Sequence, residues 1–358
     1  MTLASSSAPD SFPYSVRGDL PLVVEPRGDD AASRSVARLR QALKEHEAWV
    51  GDALARHGAM LFRGFDVAGA DDFEQLARAI DDELKNEYLG TSPRDAVAGS
   101  SFVFSASELP DYYPIPQHCE MSFCATPPRH VFFSCLVEPA AGSGETPLCD
   151  FRAVWRDLDP GVRERFVAGG IRHVRNYAPP GSDANDPMQL KGWDEMFQTA
   201  DREAVERRAR EEGFEPSWTE GGGLRLVSTQ PVYRDHPTTG ERAWHNHATT
   251  FHVGTAFAEY RRIVALRPTE RNRNLAAFAE KLDDRARSRP SDERAMHTTY
   301  ADGSEIPDAD REAVRDAVWR HMVVTPWKRG DVVAIDNAVV SHGRLPYEGP
   351  RQVVVCWA

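Results

Sequence analysis

Hydrophobic positions near the N-terminus recur with the spacing of amphipathic helices. The apolar positions of residues 31–57 are Val36, Leu39, Leu43, Trp49, Val50 and Leu54. Residues three and four apart share one face of a helix, so this segment is predicted to be a helix that Gly58 ends. A second helix is predicted after residues 71–72, whose carboxylates can cap it, with Phe73 and Ile80 on its apolar face.

Further along the chain, short apolar runs bounded by turn residues predict buried strands. These runs are 21–24, 60–65, 131–136, 145–150, 171–177, 224–228, 249–253, 322–325, 332–335, 338–341 and 353–357. Helices are predicted between them, from Phe151 after an Asp150 cap, at 160–167, 193–197, 201–212, and over most of 258–321 with a turn at 298–304. The pattern predicts an α+β protein, mainly β, in which helices flank a β-core.

The domain organisation follows from what the pattern lacks. The chain of 358 residues contains no internal repeat and no abrupt change in composition. Residues 1–30 are rich in Ser, Pro and Asp and are predicted to be mostly irregular, and 31–358 are predicted to form one domain with helical insertions. Residues 88–117 show no periodicity, and a long loop of this kind is typical of a lid over a site.

Composition narrows the class of protein. A hydrophobic fraction of 41% with 27% charged residues is typical of a soluble globular protein. The net charge of −12 argues against nucleic acid or an anionic membrane as partner. No apolar run approaches the ~18 residues of a membrane helix, the first residues do not resemble a signal peptide, and the five cysteines show no disulfide pattern. We therefore expect a cytoplasmic protein.

The stretch 117–121, Gln-His-Cys-Glu-Met, carries the first candidate chemistry. If it is extended, His118 and Glu120 point to the same face and could bind a metal ion from one side. Chance alone would supply roughly two His-x-Glu tripeptides in a chain of this composition, so the motif needs support. His342 provides it, because it ends an apolar strand 222 residues after Glu120 (342 − 120).

Two histidines and one carboxylate form the facial arrangement that binds ferrous iron and leaves three coordination positions open. Two open positions suit a 2-oxo acid that chelates through its carboxylate and keto oxygens, and the third suits dioxygen. The far carboxylate of 2-oxoglutarate would need a planar cation, which Arg351 supplies, and a neighbouring hydroxyl, for which Thr146 is a candidate. The cofactor prediction is therefore iron(II), with 2-oxoglutarate and dioxygen as cosubstrates.

A rival metal site is open at this point. His245 and His247, with His252 nearby, also place two imidazoles on one face of an extended chain. Cys119 should point away from the ligand face and is interpreted as a packing residue. The chain lacks His-Glu-x-x-His, Gly-x-Ser-x-Gly, a Walker loop and a dinucleotide fingerprint, which disfavours zinc proteases, serine hydrolases and nucleotide-binding enzymes.

Several short sequence motifs resemble those of the TauD/TfdA family of iron(II)- and 2-oxoglutarate-dependent dioxygenases and occur in the same order along the chain. The resemblance is to the SyrP-like branch of the clavaminate-synthase-like group. The motifs are Leu61-Phe62-Arg63-Gly64-Phe65, residues 116–122, residues 144–150, Val174-Arg175-Asn176-Tyr177, Phe197-Gln198-Thr199, residues 236–241 and His342-Gly343-Arg344. The resemblance implies a double-stranded β-helix, or jelly-roll, core. It also implies that His118, Glu120 and His342 bind iron and that Thr146 and Arg351 bind 2-oxoglutarate.

The resemblance has departures that concern the substrate. Glu120 stands where most of the family has Asp, as is common in this branch, and it disfavours halogenation because a halogenase has a small residue there. The family's Trp-Phe-Asn phrase reads Trp244-His245-Asn246, and the stretch Pro179–Leu190 is longer and more polar than its counterparts. Neither departure touches the predicted iron and cosubstrate residues.

The predicted function is hydroxylation of an unactivated C–H bond in an amino acid or an amino-acid-derived intermediate of natural-product biosynthesis, free or tethered to a carrier protein. Gln117, Asn246 and Arg344 are predicted substrate contacts because they flank the metal motifs. Desaturation or cyclisation by the same cofactors is an alternative, and so is a non-catalytic jelly-roll protein that binds a metal or a small molecule. Whether the chain forms a homo-oligomer is left open.

Overall fold

The computed structural model describes residues 8–88, 94–107, 109–182 and 189–358. Two regions singled out in the sequence lie partly outside these ranges. Of the predicted lid, residues 89–93 and 108 are outside, and of the polar stretch that follows Pro179, residues 183–188 are outside. The assignment of a lid over the site therefore stays a prediction.

Ten α-helices lie within the described residues. They are α1 (Val36–Glu45), α2 (Glu47–His57), α3 (Ala70–Ile80), α4 (Phe151–Asp157), α5 (Pro160–Gly169), α6 (Trp193–Phe197), α7 (Arg202–Glu211), α8 (Thr255–Leu266), α9 (Glu270–Arg287) and α10 (Asp308–His321), with a 3₁₀ turn at Ser291–Glu293. Local signals account for several ends. Gly58 stops α2 in a left-handed conformation, as predicted, and the Asp150 carboxylate caps α4 by accepting from the Arg152 amide.

The same ranges contain eighteen strands. They are β1 (Ser15–Arg17), β2 (Leu22–Glu25), β3 (Ala59–Phe62), β4 (Phe104–Ser105), β5 (Ile115–His118), β6 (His130–Val137), β7 (Leu148–Asp150), β8 (Ile171–Ala178), β9 (Leu190–Gly192), β10 (Glu215–Trp218), β11 (Leu224–Gln230), β12 (Tyr233–Asp235), β13 (Arg242–Trp244), β14 (Met296–Thr299), β15 (Met322–Val323), β16 (Val332–Asp336), β17 (Val340–Arg344) and β18 (Gln352–Trp357).

Two sheets form the centre of the fold. A seven-stranded sheet has the order β1-β2-β3-β16-β6-β18-β4, and a four-stranded antiparallel sheet has the order β15-β7-β17-β5. Strands far apart in sequence are neighbours in both sheets. A third sheet of β10-β11-β8-β14, with β9 added beside β8, and the β12–β13 hairpin complete the described strands. This is the predicted α+β architecture with a β-core.

The inner strands β3, β16, β6 and β18 of the seven-stranded sheet are buried on both faces, and this explains why their sequences are nearly continuous apolar runs. Along β16, Val333 and Ile335 join the cluster shared with the four-stranded sheet, whereas Val332 and Ala334 pack with residues of α1, α2 and α3. The same alternation continues in β6 and β18. Side chains that alternate across a strand therefore contribute to two cores.

The structure corrects three predictions. The helix over 31–57 is two helices, because the chain turns at His46, whose ring nitrogen lies 2.9 Å from the Ala42 carbonyl and whose ring packs edge-on against Phe12. Residues 249–253 form turns rather than a strand, since the Thr249 carbonyl accepts from side chains instead of from a partner strand. The predicted turn at 298–304 begins with the last residues of β14.

Among the described residues, no helix is both long enough and apolar enough to span a membrane.

One buried carboxylate gives a testable pH dependence of stability. Asp81 ends α3 and accepts from Arg129 at 2.7 Å, and the His130 ring lies 2.7 Å away. Burial acts to raise the pKa of Asp81, but His130 and Arg129 outweigh it and lower the pKa to about 2. Because the pKa is depressed on folding, this contribution is present above the unfolded pKa of about 4 and is lost as the pH falls towards 2.

We therefore expect Asp81→Asn to lower the free energy of unfolding near pH 7 by at most about 2 kcal/mol, with a difference that narrows below about pH 4. Denaturant titrations at a series of pH values would measure this. Asp284→Asn, at an exposed position of α9, is the control. A deficit that is the same at every pH would contradict the ion-pair account.

Candidate metal centre and cosubstrate site

Strand pairing brings two histidines opposite each other. β5 ends at His118, and β17 pairs with it antiparallel so that His342 is the direct partner of His118. The centroids of the two imidazole rings are 4.5 Å apart. Directly opposed residues of antiparallel strands hold their Cβ atoms about 5 Å apart, so the backbone ladder itself creates this pair.

Glu120 joins the pair by a different route from the one predicted. The strand ends at His118 and Glu120 lies in the turn that follows, so the inference that both side chains alternate along one extended strand is wrong. The carboxylate nevertheless reaches the histidines, with Oε2 at 3.5 Å from Nε2 of His342. Ligand atoms of all three residues lie within 4.8 Å of one another, and this is the one such group among the described His, Cys, Asp and Glu residues.

The tautomer of His118 suits metal binding. Its Nδ1 lies 2.9 Å from the carbonyl oxygen of Pro116. A carbonyl oxygen only accepts, so Nδ1 carries the proton and Nε2 keeps a lone pair. An outer hydrogen bond of this kind is the usual way in which proteins orient a ligating imidazole.

The charge states also fit a divalent cation. Burial and the neighbouring His342 lower the pKa of His118 to about 4, so its imidazole is neutral near pH 7. Burial acts to raise the pKa of Glu120, but the Arg94 guanidinium and the two histidines outweigh it, and the pKa falls below its usual range. Metal ions need neutral imidazoles and ionised carboxylates. Two nitrogens and one such oxygen match the donor set of ferrous iron sites.

Two side chains hold the carboxylate of Glu120. The hydroxyl of Tyr88 donates to Oε1 at 3.2 Å, and Nη2 of Arg94 donates to Oε2 at 3.3 Å. Arg94 also donates to the Tyr88 hydroxyl at 3.0 Å and lies over its ring at 4.4 Å. These contacts restrict the rotamer of Glu120.

The residues predicted to bind 2-oxoglutarate also lie together. Nη2 of Arg351 is 3.4 Å from the Thr146 hydroxyl, and Nε donates to the Gly144 carbonyl at 2.8 Å. Burial, and secondarily Arg344, lowers the pKa of Arg351 to about 10, so the guanidinium is still a cation at neutral pH. A half-buried cation next to a hydroxyl is a suitable receptor for a carboxylate.

Trp327 completes this arrangement, and no pattern in the sequence indicated it. Its indole Nε1 donates to the Thr146 hydroxyl oxygen at 3.1 Å. A hydroxyl has two lone pairs and one hydrogen. Because Trp327 and Arg351 both point donors at that oxygen, the hydrogen of Thr146 is left for an acceptor such as a carboxylate.

The three residues predicted to contact substrate all bond to the backbone. Gln117 donates to the Pro147 carbonyl at 2.9 Å, and its amide oxygen accepts from Ser341. Asn246 bridges the Val232 carbonyl and the Ala248 amide. The guanidinium of Arg344 donates to three carbonyls, those of Leu109, Pro110 and Tyr113. Their role in substrate contact stays a prediction.

The rival histidine cluster does not come together as one site. His247 lies beside the triad, with its ring centroid 5.5 Å from that of His118, and its Nδ1 is 2.7 Å from the Ser122 hydroxyl. His252 instead faces Asp308 at 3.9 Å, and His245 is buried but belongs to no group of three ligand atoms close enough to share a metal among the described residues. Cys119 is fully buried, as expected of a packing residue.

Four residues around the site were not indicated by the sequence, namely Tyr88, Arg94, Trp327 and Asn337, whose side-chain amide binds the Glu120 backbone. Tyr88 and Arg94 fall in or beside a segment without periodicity, and Asn337 falls in a turn, where asparagine is common on composition alone. Each acts on a residue distant in sequence. Only the fold brings them to the site.

Comparison with known proteins identifies the class. Residues 24–357 match the family model described as "Taurine catabolism dioxygenase TauD, TfdA family". A clavaminate synthase-like protein of Arabidopsis thaliana is 31% identical over 327 residues, covering 89% of this chain and 87% of that one. The dapdiamide synthesis protein DdaC of Enterobacter agglomerans is 30% identical over 325 residues, covering 90% and 88%. Both relatives match nearly from end to end.

The fold has counterparts among solved structures. PvcB from Pseudomonas aeruginosa aligns with a TM-score of 0.50 at 12% identity, covering 99% of this chain and 94% of that one. At this identity the similarity concerns the fold alone, and it confirms the predicted jelly-roll class. The chain is thus an oxidoreductase of the iron(II)- and 2-oxoglutarate-dependent dioxygenase class, with dioxygen as the second cosubstrate. It belongs to the TauD/TfdA family.

The hydrogen bond from Trp327 to Thr146 gives a prediction for cosubstrate binding. We expect Trp327→Phe, which loses the indole donor but keeps an aromatic ring, to raise the Kd for 2-oxoglutarate about fivefold, the equivalent of one hydrogen bond. Anaerobic calorimetry of the iron-loaded protein would measure it. Trp193→Phe is the control, because Trp193 donates to the Gly222 carbonyl elsewhere. An equal effect of both variants would count against the assignment.

Proposed function

We propose that this dioxygenase hydroxylates an unactivated C–H bond of an amino acid or an amino-acid-derived building block. His118, Glu120 and His342 are the proposed iron ligands, and Thr146 and Arg351 bind the far carboxylate of 2-oxoglutarate. The observation that carries the proposal is the convergence of three ligand atoms, two of them from cross-strand partners, within 4.8 Å.

The protein's own part in the reaction is to bind, orient and exclude water. His118 presents Nε2 because its Nδ1 proton is held by the Pro116 carbonyl, and Tyr88 with Arg94 holds the carboxylate of Glu120. Iron bound at such a site supplies oxygen activation, coupled to the conversion of 2-oxoglutarate into succinate and carbon dioxide. A deeply buried Glu120 keeps bulk water from that side of the centre.

Arg351 would fix the orientation of the bound cosubstrate. A dicarboxylate with one end at the metal and the other at a guanidinium can lie in only one orientation. Burial of Arg351 strengthens the ion pair that a carboxylate forms with it, and Thr146 donates a second hydrogen bond.

The substrate class is supported by one relative. The name of DdaC assigns that protein to dapdiamide synthesis, and it is 30% identical over 90% of this chain. This supports a biosynthetic role and a small-molecule substrate. Both the free and the carrier-tethered forms of an amino acid are candidates, and desaturation or cyclisation of the same substrate is the second candidate reaction.

The direct test is a screen for turnover. We expect the iron-loaded protein to release succinate faster in the presence of its substrate, and mass spectrometry of free and carrier-bound amino acids should show a gain of one oxygen atom. A loss of two hydrogens without oxygen would identify desaturation or cyclisation instead. Succinate release that none of these substrates stimulates would contradict the proposed substrate class.

The iron ligands have their own test. His118→Ala and His342→Ala should abolish substrate-dependent succinate release and weaken iron(II) binding measured anaerobically, because each removes one of three donors. His321→Ala, at the end of α10 where the ring lies beside Asp157, is the control. Retention of wild-type turnover in either ligand variant would show that the iron assignment is wrong.

Arg351→Ala separates the cosubstrate from the metal. Loss of a charged hydrogen-bond donor should raise the Kd for 2-oxoglutarate by at least about tenfold, with little change in iron affinity. Arg165→Ala, which breaks an ion pair with Asp310 between α5 and α10, is the matched control. Equal losses of iron and 2-oxoglutarate binding would count against the role of Arg351.

A further inference from the structure

We infer that Asn337 is a positioning residue that fixes the backbone of Glu120 so that its carboxylate reaches the two histidines. It was not predicted from the sequence, and its side-chain hydrogen bonds go to the Glu120 backbone and the Pro128 carbonyl rather than to an imidazole. The inference rests on the proposed role of Glu120 as an iron ligand. Tyr88 and Arg94 hold the carboxylate of Glu120, whereas its backbone lies beyond the strand that ends at His118 and needs another support.

The side-chain amide of Asn337 binds both polar groups of the Glu120 backbone. Its Oδ1 accepts from the Glu120 amide at 2.7 Å, and its Nδ2 donates to the Glu120 carbonyl at 2.9 Å. The second hydrogen of Nδ2 serves the Pro128 carbonyl, also at 2.9 Å. The side chain is fully buried, so water does not replace these bonds.

The backbone next to Glu120 needs this support. Met121 has φ +50°, in the left-handed region that residues with a Cβ rarely adopt. Only one other non-glycine residue of the described chain, Gln198, has a positive φ. A conformation of this kind persists where surrounding contacts enforce it, and such positions cluster at functional sites. A change of φ at Met121 would redirect the chain that leaves Glu120 and would act against the hydrogen bonds that Asn337 makes with the Glu120 backbone.

Asn337 is itself held firmly. It follows β16 in the turn that leads to β17, and its own amide donates to the Arg129 carbonyl at 3.0 Å. The preceding Asp336 accepts from the Ala338 amide and lies 2.7 Å from Nε2 of His236. Asn337 is also five residues before His342. One side-chain amide therefore joins the segment that carries two proposed ligands to the turn between β16 and β17, shortly before the third.

The chemistry at this position is specific for asparagine. The three partners require one acceptor and two donors, which a carboxamide supplies and a carboxylate of the same shape does not. Asn337→Asp would keep the acceptor for the Glu120 amide but would place negative charge against two carbonyl oxygens. Asn337→Ala would remove all three bonds.

The test is the affinity for iron(II) alone, measured anaerobically by calorimetry, together with the melting temperature of the metal-free protein. We expect Asn337→Ala and Asn337→Asp to raise the Kd for iron by about 10- to 100-fold, the usual effect of removing an outer-sphere partner. Asn272→Ala is the matched control, because the buried Asn272 amide donates to the Arg267 carbonyl within the α8–α9 region. It should lower the melting temperature without changing the Kd.

Unchanged iron affinity in folded Asn337 variants would overturn the inference, and so would an equal loss in Asn272→Ala. The proposed function is tested separately by the wild type and His118→Ala. If the wild type binds no iron, or binds it equally well without His118, the iron site itself fails. If those two behave as expected and Asn337 has no effect, only the positioning role fails.

If the Asn337 variants do not fold, two variants of Met121 test whether the backbone conformation next to Glu120 controls iron binding. Met121→Gly removes the side chain that disfavours a positive φ, whereas Met121→Val adds branching that disfavours it further. Met121 is buried, so packing alone would favour Val over Gly. We expect the opposite order for iron affinity, with Gly the tighter binder. A Val variant that binds iron as tightly as the Gly variant or more tightly would overturn the inference.

Discussion

The pairing of β5 with β17 is the constraint on which the rest of the site depends. It places His118 and His342 as direct cross-strand partners, so the two nitrogen donors are separated by one interstrand spacing rather than by a flexible connection. The pairing is stable because β17 is buried along its whole length and packs in the core between the two central sheets. The proposed metal site therefore has two of its three ligands on paired strands, whose ladder restricts their movement. The third proposed ligand, Glu120, lies beyond the end of β5 and needs support of its own.

Electrostatics in the buried site favour the protonation states that a divalent cation requires. Desolvation keeps the His118 imidazole neutral, and Arg94 together with the histidines keeps the Glu120 carboxylate ionised despite its burial. Arg351, the proposed partner of the far carboxylate of 2-oxoglutarate, also keeps its charge at neutral pH. Charges interact strongly where water is scarce, so a small dicarboxylate can be oriented by a metal cation at one carboxylate and by Arg351 at the other.

Many polar side chains around the site bind backbone groups rather than pointing into open space. Gln117, Asn246, Arg344 and Asn337 all do so. The reason is that the segments at the mouth of the sheets leave regular structure, and buried carbonyl and amide groups there need partners that a strand would otherwise supply. Gln117, Asn246 and Arg344, which the sequence indicated as substrate contacts, therefore also stabilise the loops. Trp327 differs in that it binds a side chain, the Thr146 hydroxyl.

The sequence by itself determined the local elements and the residue types of the site. Local signals determine the helix ends at Gly58 and Asp150, and burial determines the apolar runs of β6, β16 and β18. Spacing and resemblance made the proposed site residues recognisable, namely His118, Glu120, His342, Thr146 and Arg351. Only the tertiary structure decided how Glu120 is aimed, because that depends on Asn337, 217 residues away. It also decided the break at His46, whose ring packs against Phe12, and the turns at 249–253, where Arg315 binds the Thr249 carbonyl. Contacts of this range leave no periodicity in the chain, so no local pattern can reveal them.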